Sequence, residues 1–469
     1  MTNDSFDLSI TSYSKKGYGI GKIQKKGKSF KVEVTNSVIG DCFEIDATQL
    51  KKRVLSSSLL TLKTPSEQRV NPRCSHALSC GGCPWQQVSY SAQIQEKQNL
   101  LHRLFDPLLQ EGVFHPILSA KTPWHYRNKM ELTFSQDRQG QRFFGLMMNN
   151  KKRRVVTLDH CYLAPPWFII ALKAVYKWWT KSTTLLAYHP PSNAGTLRTL
   201  TLREGKHTGE RMVILTVSGC QEHFLKRADL VSFKKTLVDT FPNVSLSIFL
   251  RIHHIKKGQP SAFYEMHLYG KDKLREILHV DSRAIEFHMS PSSFFQIHSI
   301  QAQHLLTCCL QLAKPTLDLC VYDLYAGIGT LSLVFAPFVK KILSVEKCPY
   351  AVCDAQVNMK LNGFHHVRVI EGDATSDLLQ LSLYRPDLII VDPPRAGLQE
   401  GGLNQLDRLL AKQILYISCN VVTQSEDIKH LISKGYDLKA IQPVDQFPHT
   451  PHIENIALLE RTRIPPVGN

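Results

Sequence analysis

Val321-Tyr322-Asp323-Leu324-Tyr325-Ala326-Gly327-Ile328-Gly329-Thr330 reads as a β-strand that closes in a Gly-x-Gly turn and passes into a helix. Glycines at 327 and 329 let the backbone approach a ligand closely. Three apolar runs downstream share this form. Leu343-Ser344-Val345-Glu346 ends in a carboxylate seventeen positions beyond Gly329. Val369-Ile370-Glu371-Gly372-Asp373 ends in another, and Leu388-Ile389-Ile390-Val391 runs into Asp392-Pro393-Pro394-Arg395. Four successive strands ending in glycines or acids predict a doubly wound α/β sheet with its ligand crevice at the strand carboxyl ends. Glu346 is suited to two ribose hydroxyls and Asp373 to an adenine amino group. Position 332 is Ser, so the third glycine of the pyrophosphate-binding fingerprint is missing. A cofactor without phosphates fits better, and S-adenosylmethionine is the expectation.

One strand further on, Gln413-Ile414-Leu415-Tyr416-Ile417 ends in Ser418-Cys419-Asn420. A buried parallel strand of this kind delivers a thiol to the same crevice. Cysteine often does no more than fill space in a core. The rest of the chain argues for chemistry. Pro448-His449-Thr450-Pro451-His452 forms a turn, and Glu454 follows it. A thiol can serve as a covalent nucleophile and a carboxylate as a base on one substrate. Phe294 or Phe295 is a candidate cover for an unstacked nucleobase.

Toward the N-terminus the character changes. Residues 7 to about 60 hold short β-rich runs around Gly17-Tyr18-Gly19-Ile20-Gly21, dotted with Lys15, Lys16, Lys25, Lys26, Lys28, Lys31, Lys51, Lys52 and Arg53. A small five-stranded barrel with basic loops suits nucleic acid, and the stretch resembles the TRAM domain of RNA-modifying enzymes. Cys74-x5-Cys80-Gly81-Gly82-Cys83 then brings three thiols onto one short loop, half of a metal site. Cys161 is the best fourth ligand, with His76 and His160 as alternates. Zinc normally uses paired CxxC spacing on both sides, so an iron–sulfur cluster is favoured over zinc. Residues 91–110 have helical periodicity, with Gln95, Lys97 and Gln98 on the polar side and Leu100, Leu101, Leu104 and Phe105 opposite. Trp124-His125-Tyr126-Arg127-Asn128-Lys129 and Lys151-Lys152-Arg153-Arg154 mix cations with aromatics, as RNA contact requires. Residues 190–287 carry no motif that names a chemistry.

Composition agrees. The chain has 469 residues, 43% of them hydrophobic, enough for two or three domains. Its formal net charge is +17 and its pI near 9.3, a balance suited to an anionic polymer. No apolar run reaches the roughly 18 residues that span a bilayer. Twelve cysteines without a secretory signal fit reduced thiols, and the expected setting is cytoplasmic. A monomer is the default expectation.

Ser290-Pro291-Ser292-Ser293-Phe294-Phe295-Gln296, the Asp323–Thr330 loop, Asp392-Pro393-Pro394-Arg395, Ser418-Cys419-Asn420 and the Phe447–Glu454 stretch occur in an order that resembles the RNA 5-methyluridine (uracil-C5) methyltransferases. The resemblance covers nearly the whole chain. The TRAM-like start and the Cys74, Cys80, Cys83 and Cys161 spacing are similar to the iron–sulfur branch. It implies an OB-type barrel (TRAM) over 1–60 and a central α+β domain over 61–287 with a [4Fe-4S] cluster. A Rossmann-like class I S-adenosylmethionine methyltransferase domain is implied over 288–469, with helix 91–110 packing on it. Cys419 is the implied nucleophile and Glu454 the implied base. Gln296, Tyr325, Glu346 and Asp392 would surround S-adenosylmethionine, with Asp373 a neighbour. Ribosomal RNA is the favoured substrate and transfer RNA the alternative. Cytosine C5 methylation is disfavoured by the Ser-Cys-Asn context. An RNA-binding protein with an inactive fold is disfavoured by the intact Cys419, Glu454 and Asp392.

Overall fold

The computed structural model describes residues 5–25, 27–46, 54–149, 153–254, 262–376 and 384–462. Lys26, Lys51, Lys52, Arg53, Lys151 and Lys152 lie outside them.

The acid-tipped runs form one half of an eight-stranded sheet. Its order is Val367–Glu371, Lys341–Glu346, Cys320–Leu324, Leu388–Val391, Gln413–Ser418, Glu454–Arg461, Tyr436–Val444 and Val113–Phe114. The first five are parallel, and Glu454–Arg461 is inserted antiparallel to both of its neighbours. Helices pack on the sheet, so its central strands are buried along nearly their whole length and read as continuous apolar runs. Strand order reverses between Cys320–Leu324 and Leu388–Val391, where open sheets of this type hold ligands.

The far edge of this sheet comes from a distant part of the chain. Helix Tyr90–Phe105 buries Leu101 and Phe105 in the same core as Ile428 and Leu431 of helix Val421–Ser433. Val113–Phe114 then pairs with Tyr436–Val444. Lys97 corrects the expectation that it lies on the helix's polar side: its ammonium is buried and bonded to the buried Asp445 carboxylate at 2.6 Å. Periodicity assigns a lysine to solvent, but a buried partner reverses that.

A seven-stranded sheet occupies the middle of the chain, in the order Val155–Thr157, Arg142–Met147, Lys129–Gln136, Leu197–Glu204, Arg211–Ser218, Leu246–His254 and Ala262–Tyr269. Its one parallel pair, Arg211–Ser218 with Leu246–His254, is joined through helix Arg227–Thr240. That helix and Pro166–Lys181 share one apolar core with the sheet. The hairpin Leu274–Val280/Arg283–Met289 packs instead with helix Ser299–Ala313 in the core of the eight-stranded sheet. At the N-terminus a three-stranded and a four-stranded sheet enclose Leu8, Ile23, Val34 and Phe43, and strand Thr61–Thr64 belongs to the smaller one. A Cβ on Gly21 would stand 2.5 Å from Leu8, so the two small sheets approach as closely as glycine allows.

Candidate active site

Tyr325 follows strand Cys320–Leu324 with a φ of +66°, and Gly327 and Gly329 follow at +56° and +83°. A non-glycine residue held in the left-handed region marks a turn that its surroundings over-determine. Nothing lies within 4 Å of where a Gly327 Cβ would stand, so the turn faces open space. Glu346 shapes the turn: its two carboxylate oxygens accept from the Gly327 amide at 2.9 Å and the Cys348 amide at 2.7 Å. Below it, Asp323 accepts from the amide and hydroxyl of Ser332, tying strand to helix, while its other oxygen is buried without a partner among the described residues. Burial pushes the Asp323 carboxyl up to about 7. Serine at 332, the missing third glycine, is therefore the residue that fastens the cofactor strand. The Tyr325 hydroxyl is also buried without a partner among the described residues and points toward Gly402.

Asp373 stands at the rim. One oxygen caps Thr375 and the other meets Lys347 at 2.7 Å, and the Lys347 ammonium leads the causes that hold its carboxyl down at about 2. Gln296 is half-buried, and its backbone carbonyl accepts from Asn128 at 2.8 Å. The loop before it is clamped by Asp354, which accepts from Ser290 and Ser293. Of the two phenylalanines there, Phe295 belongs to the core. Phe294 is 64% exposed, and its ring is the one of the pair that faces away from the core.

Strand pairing brings the thiol and the carboxylate together. Ser418 lies opposite Asn455 on neighbouring antiparallel strands, so Cys419 and Glu454 are the next positions along that ladder. Glu454 is 2% exposed and makes no side-chain hydrogen bond among the described residues. Burial, and then the Asp392 carboxylate, hold its pKa well above the usual range, while Arg395 acts in the other direction. Asp392 is itself raised to about 7 by burial and by Asp323. The Cys419 thiol is pushed up to about 11, first by burial, then by Glu454 and Asp392, with Arg395 opposing as charge and hydrogen-bond donor. The Arg395 cation opposes these shifts at both Cys419 and Glu454. Its loop is pinned to the thiol's neighbour, since the Asn420 side chain donates to the Arg395 carbonyl at 2.8 Å. The motif reading included Arg395 but gave it no task. Asn420, beside the thiol, had none either.

Cys74, Cys80, Cys83 and Cys161 line one cavity of ≈ 680 Å³, with Trp124 and Arg127 on its wall. None of the twelve cysteines forms a disulfide among the described residues. Burial raises the pKa of Cys74, Cys80 and Cys83, Cys80 to about 11. Cys74, His76 and His160 also bring one ligand atom each within 4.8 Å of one another. Arg127 and Lys129, expected to contact RNA, line this same cavity.

The sheet order, the open turn after strand Cys320–Leu324 and the acid ending strand Lys341–Glu346 fit the fold of the S-adenosylmethionine-dependent methyltransferases. Residues 261–462 match the profile of the tRNA (uracil-5-)-methyltransferase family. An uncharacterized RNA methyltransferase of Protochlamydia amoebophila is 42% identical over 441 residues, 91% of this chain and 99% of its own. Another, from Staphylococcus epidermidis, is 31% identical over 96% of both chains. The crystal structure of Pyrococcus abyssi tRNA (uracil-54, C5)-methyltransferase in complex with S-adenosyl-L-homocysteine covers 97% of this chain and 100% of its own, with a TM-score of 0.71 and 25% identity. The chain belongs to the RNA (uracil-5-)-methyltransferase family. No helix among the described residues is long and apolar enough to cross a membrane.

Proposed function

We propose that this enzyme makes 5-methyluridine in RNA with Cys419 as covalent nucleophile and Glu454 as base. The observation that carries the reading is the placement of both groups at one end of adjacent strands, with Asp392 and Arg395 acting on them. S-adenosylmethionine supplies an electrophilic methyl group when bound. Residues fitting it are Tyr325, with an unpartnered hydroxyl, the open Gly327 turn, Glu346 and Asp392, with Gln296 and Asp373 at the edges. The Cys419 thiolate bonds to carbon 6 of the uracil, and the displaced electron pair makes carbon 5 nucleophilic. Carbon 5 takes the methyl group as the methyl–sulfur bond breaks. Glu454 then removes the carbon 5 proton, the carbon 5–carbon 6 double bond re-forms, and the thiolate leaves.

RNA containing 5-fluorouridine tests this, because fluorine at carbon 5 cannot leave as a proton. A denaturation-resistant protein–RNA complex should form and should map to Cys419. Because the thiol is raised to about 11, its formation should speed up as pH rises through neutrality. The thiolate fraction grows about tenfold per pH unit below the pKa. No complex at any pH would end the covalent reading. Ribosomal RNA is the favoured substrate, on the resemblance of the barrel and the four cysteines. The Pyrococcus neighbour's transfer RNA specificity supports the alternative. Methyl incorporation into unmodified ribosomal and transfer RNA decides between them.

The four thiols around one cavity support an iron–sulfur cluster. The Cys74, His76 and His160 grouping supports zinc as the second reading. Anaerobically purified protein should be brown, with about four iron and four sulfide per chain. Stoichiometric zinc in colourless protein would overturn the cluster. Cys80→Ser should cost solubility and RNA binding before S-adenosylmethionine binding, since the cofactor turn lies in a different sheet.

A further inference from the structure

Glu454 opens its strand directly after the turn 447–453 and has no side-chain hydrogen bond of its own among the described residues. Its direction is therefore set by the backbone of that turn. The turn contains His449, buried and left-handed at φ +65°. A strained non-glycine conformation persists only where its surroundings enforce it. Here the enforcing groups come from residues 85–126, more than three hundred positions earlier in the chain.

Gln93 is at the centre. It lies on helix Tyr90–Phe105 and is wholly buried. Its side-chain oxygen accepts from the His449 amide at 2.8 Å, and its nitrogen lies 3.2 Å from His449 Nδ1. The same nitrogen lies 3.0 Å from the Trp85 carbonyl and 2.9 Å from that of Val88. Trp85 closes the ring by donating its amide to the His449 carbonyl at 3.1 Å. Both backbone polar groups of the strained residue are thus held from outside the turn. Around them, Lys97 donates to the Phe447 carbonyl at 3.2 Å, Tyr126 donates to the Pro448 carbonyl at 3.2 Å, and Trp124 packs on the His449 ring at 4.0 Å. Trp85 also reaches the N-terminal barrel, donating its indole N–H to the Gly17 carbonyl at 3.0 Å.

We infer that Gln93 is a positioning residue for the base: through His449 it fixes the turn that aims Glu454 at carbon 5 of the bound uracil. This rests on the reading of Glu454 as the base. Among the described residues the Gln93 side chain bonds to Trp85, Val88 and His449 and not to the thiol or the cofactor turn, so its removal should spare nucleophilic addition and methyl transfer and slow the step after them.

The test compares Gln93→Met, Gln93→Glu and Glu454→Gln in the full-length protein, with unmodified substrate RNA and S-adenosylmethionine. Gln93→Met removes the polar contacts at nearly constant volume. Its turnover should fall about 10- to 100-fold, the cost of a small misplacement of a catalytic group. S-adenosylmethionine affinity by calorimetry should stay within about twofold, because its contacts lie elsewhere, and KM for RNA should fall together with kcat, because slowing a step after addition lets the adduct accumulate. A methylated covalent protein–RNA band should accumulate, as in Glu454→Gln. Gln93→Glu keeps the acceptor for the His449 amide but loses the donations to Trp85 and Val88. It should show a smaller loss of the same kind, and it decides the matter if Gln93→Met does not fold. Normal turnover in the folded Gln93 variants, with the band present in Glu454→Gln, overturns the positioning role and leaves the base standing. Loss of cofactor affinity in parallel with turnover overturns it as well, by showing general structural damage. Absence of the band in Glu454→Gln overturns the base and the inference with it.

Discussion

Cys419→Ala should lose methyl transfer while binding S-adenosylmethionine and RNA within a few fold of the parent. The substitution removes one sulfur at the end of strand Gln413–Ser418 and leaves the cofactor turn on strand Cys320–Leu324 untouched. Without addition at carbon 6, carbon 5 of uracil stays too weak a nucleophile to attack a sulfonium methyl group. The turnover of the variant should fall at least about a hundredfold, since removing a covalent catalyst is among the costliest single changes. Tritium transfer from labelled S-adenosylmethionine measures this directly. Turnover above about one per cent of the parent would remove Cys419 from the nucleophile's role. The alanine variant should also form no complex with 5-fluorouridine RNA.

Glu454→Gln should stall later on the same path. Its thiol still adds and its uracil still accepts the methyl group, but an amide does not take the carbon 5 proton. Protein, RNA and S-adenosylmethionine should then give a protein–RNA band on a denaturing gel, carrying label from the methyl group. Multiple turnover should drop by about 10²–10⁴, the usual contribution of a positioned general base. Ordinary turnover with no band would assign the proton to another group, and Asp392 is the raised carboxyl acting on the same thiol. The glutamine is neutral, so the Cys419 thiol also loses a negative neighbour that raises its pKa. Addition should therefore be no slower than in the parent, and release alone should suffer.

The two ends of the molecule differed in how openly their sequence displayed them. The cofactor sheet was readable because a buried parallel strand shows itself over five or six residues and its acid or glycine comes next in the chain. Glu346, Asp392 and Cys419 stand at or just beyond the ends of their strands, where that reading expected them. Helix periodicity was read correctly for Leu101 and Phe105 but wrongly for Lys97, whose partner Asp445 lies 348 positions away. Phe294 and Phe295 are adjacent aromatic residues, and no local signal says which one the core takes. Arg395 stood inside a recognised motif, yet its task emerged only once the loop was seen beside the thiol.

Local physics thus settled much of this protein in the chain itself. Apolar runs, the Gly-x-Gly turn, the acids behind their strands and the cysteine loop each depend on neighbours within a few residues. Tertiary structure alone decided what stands beside what. Strand Glu454–Arg461 is inserted next to Gln413–Ser418, which puts a carboxylate beside a thiol 35 positions earlier in the chain. Helix Tyr90–Phe105, remote in sequence, docks where Gln93 can hold His449. Such pairings depend on which buried surfaces fit and which buried polar groups find partners. Those are properties of the assembled core, and no window of sequence contains both halves of them.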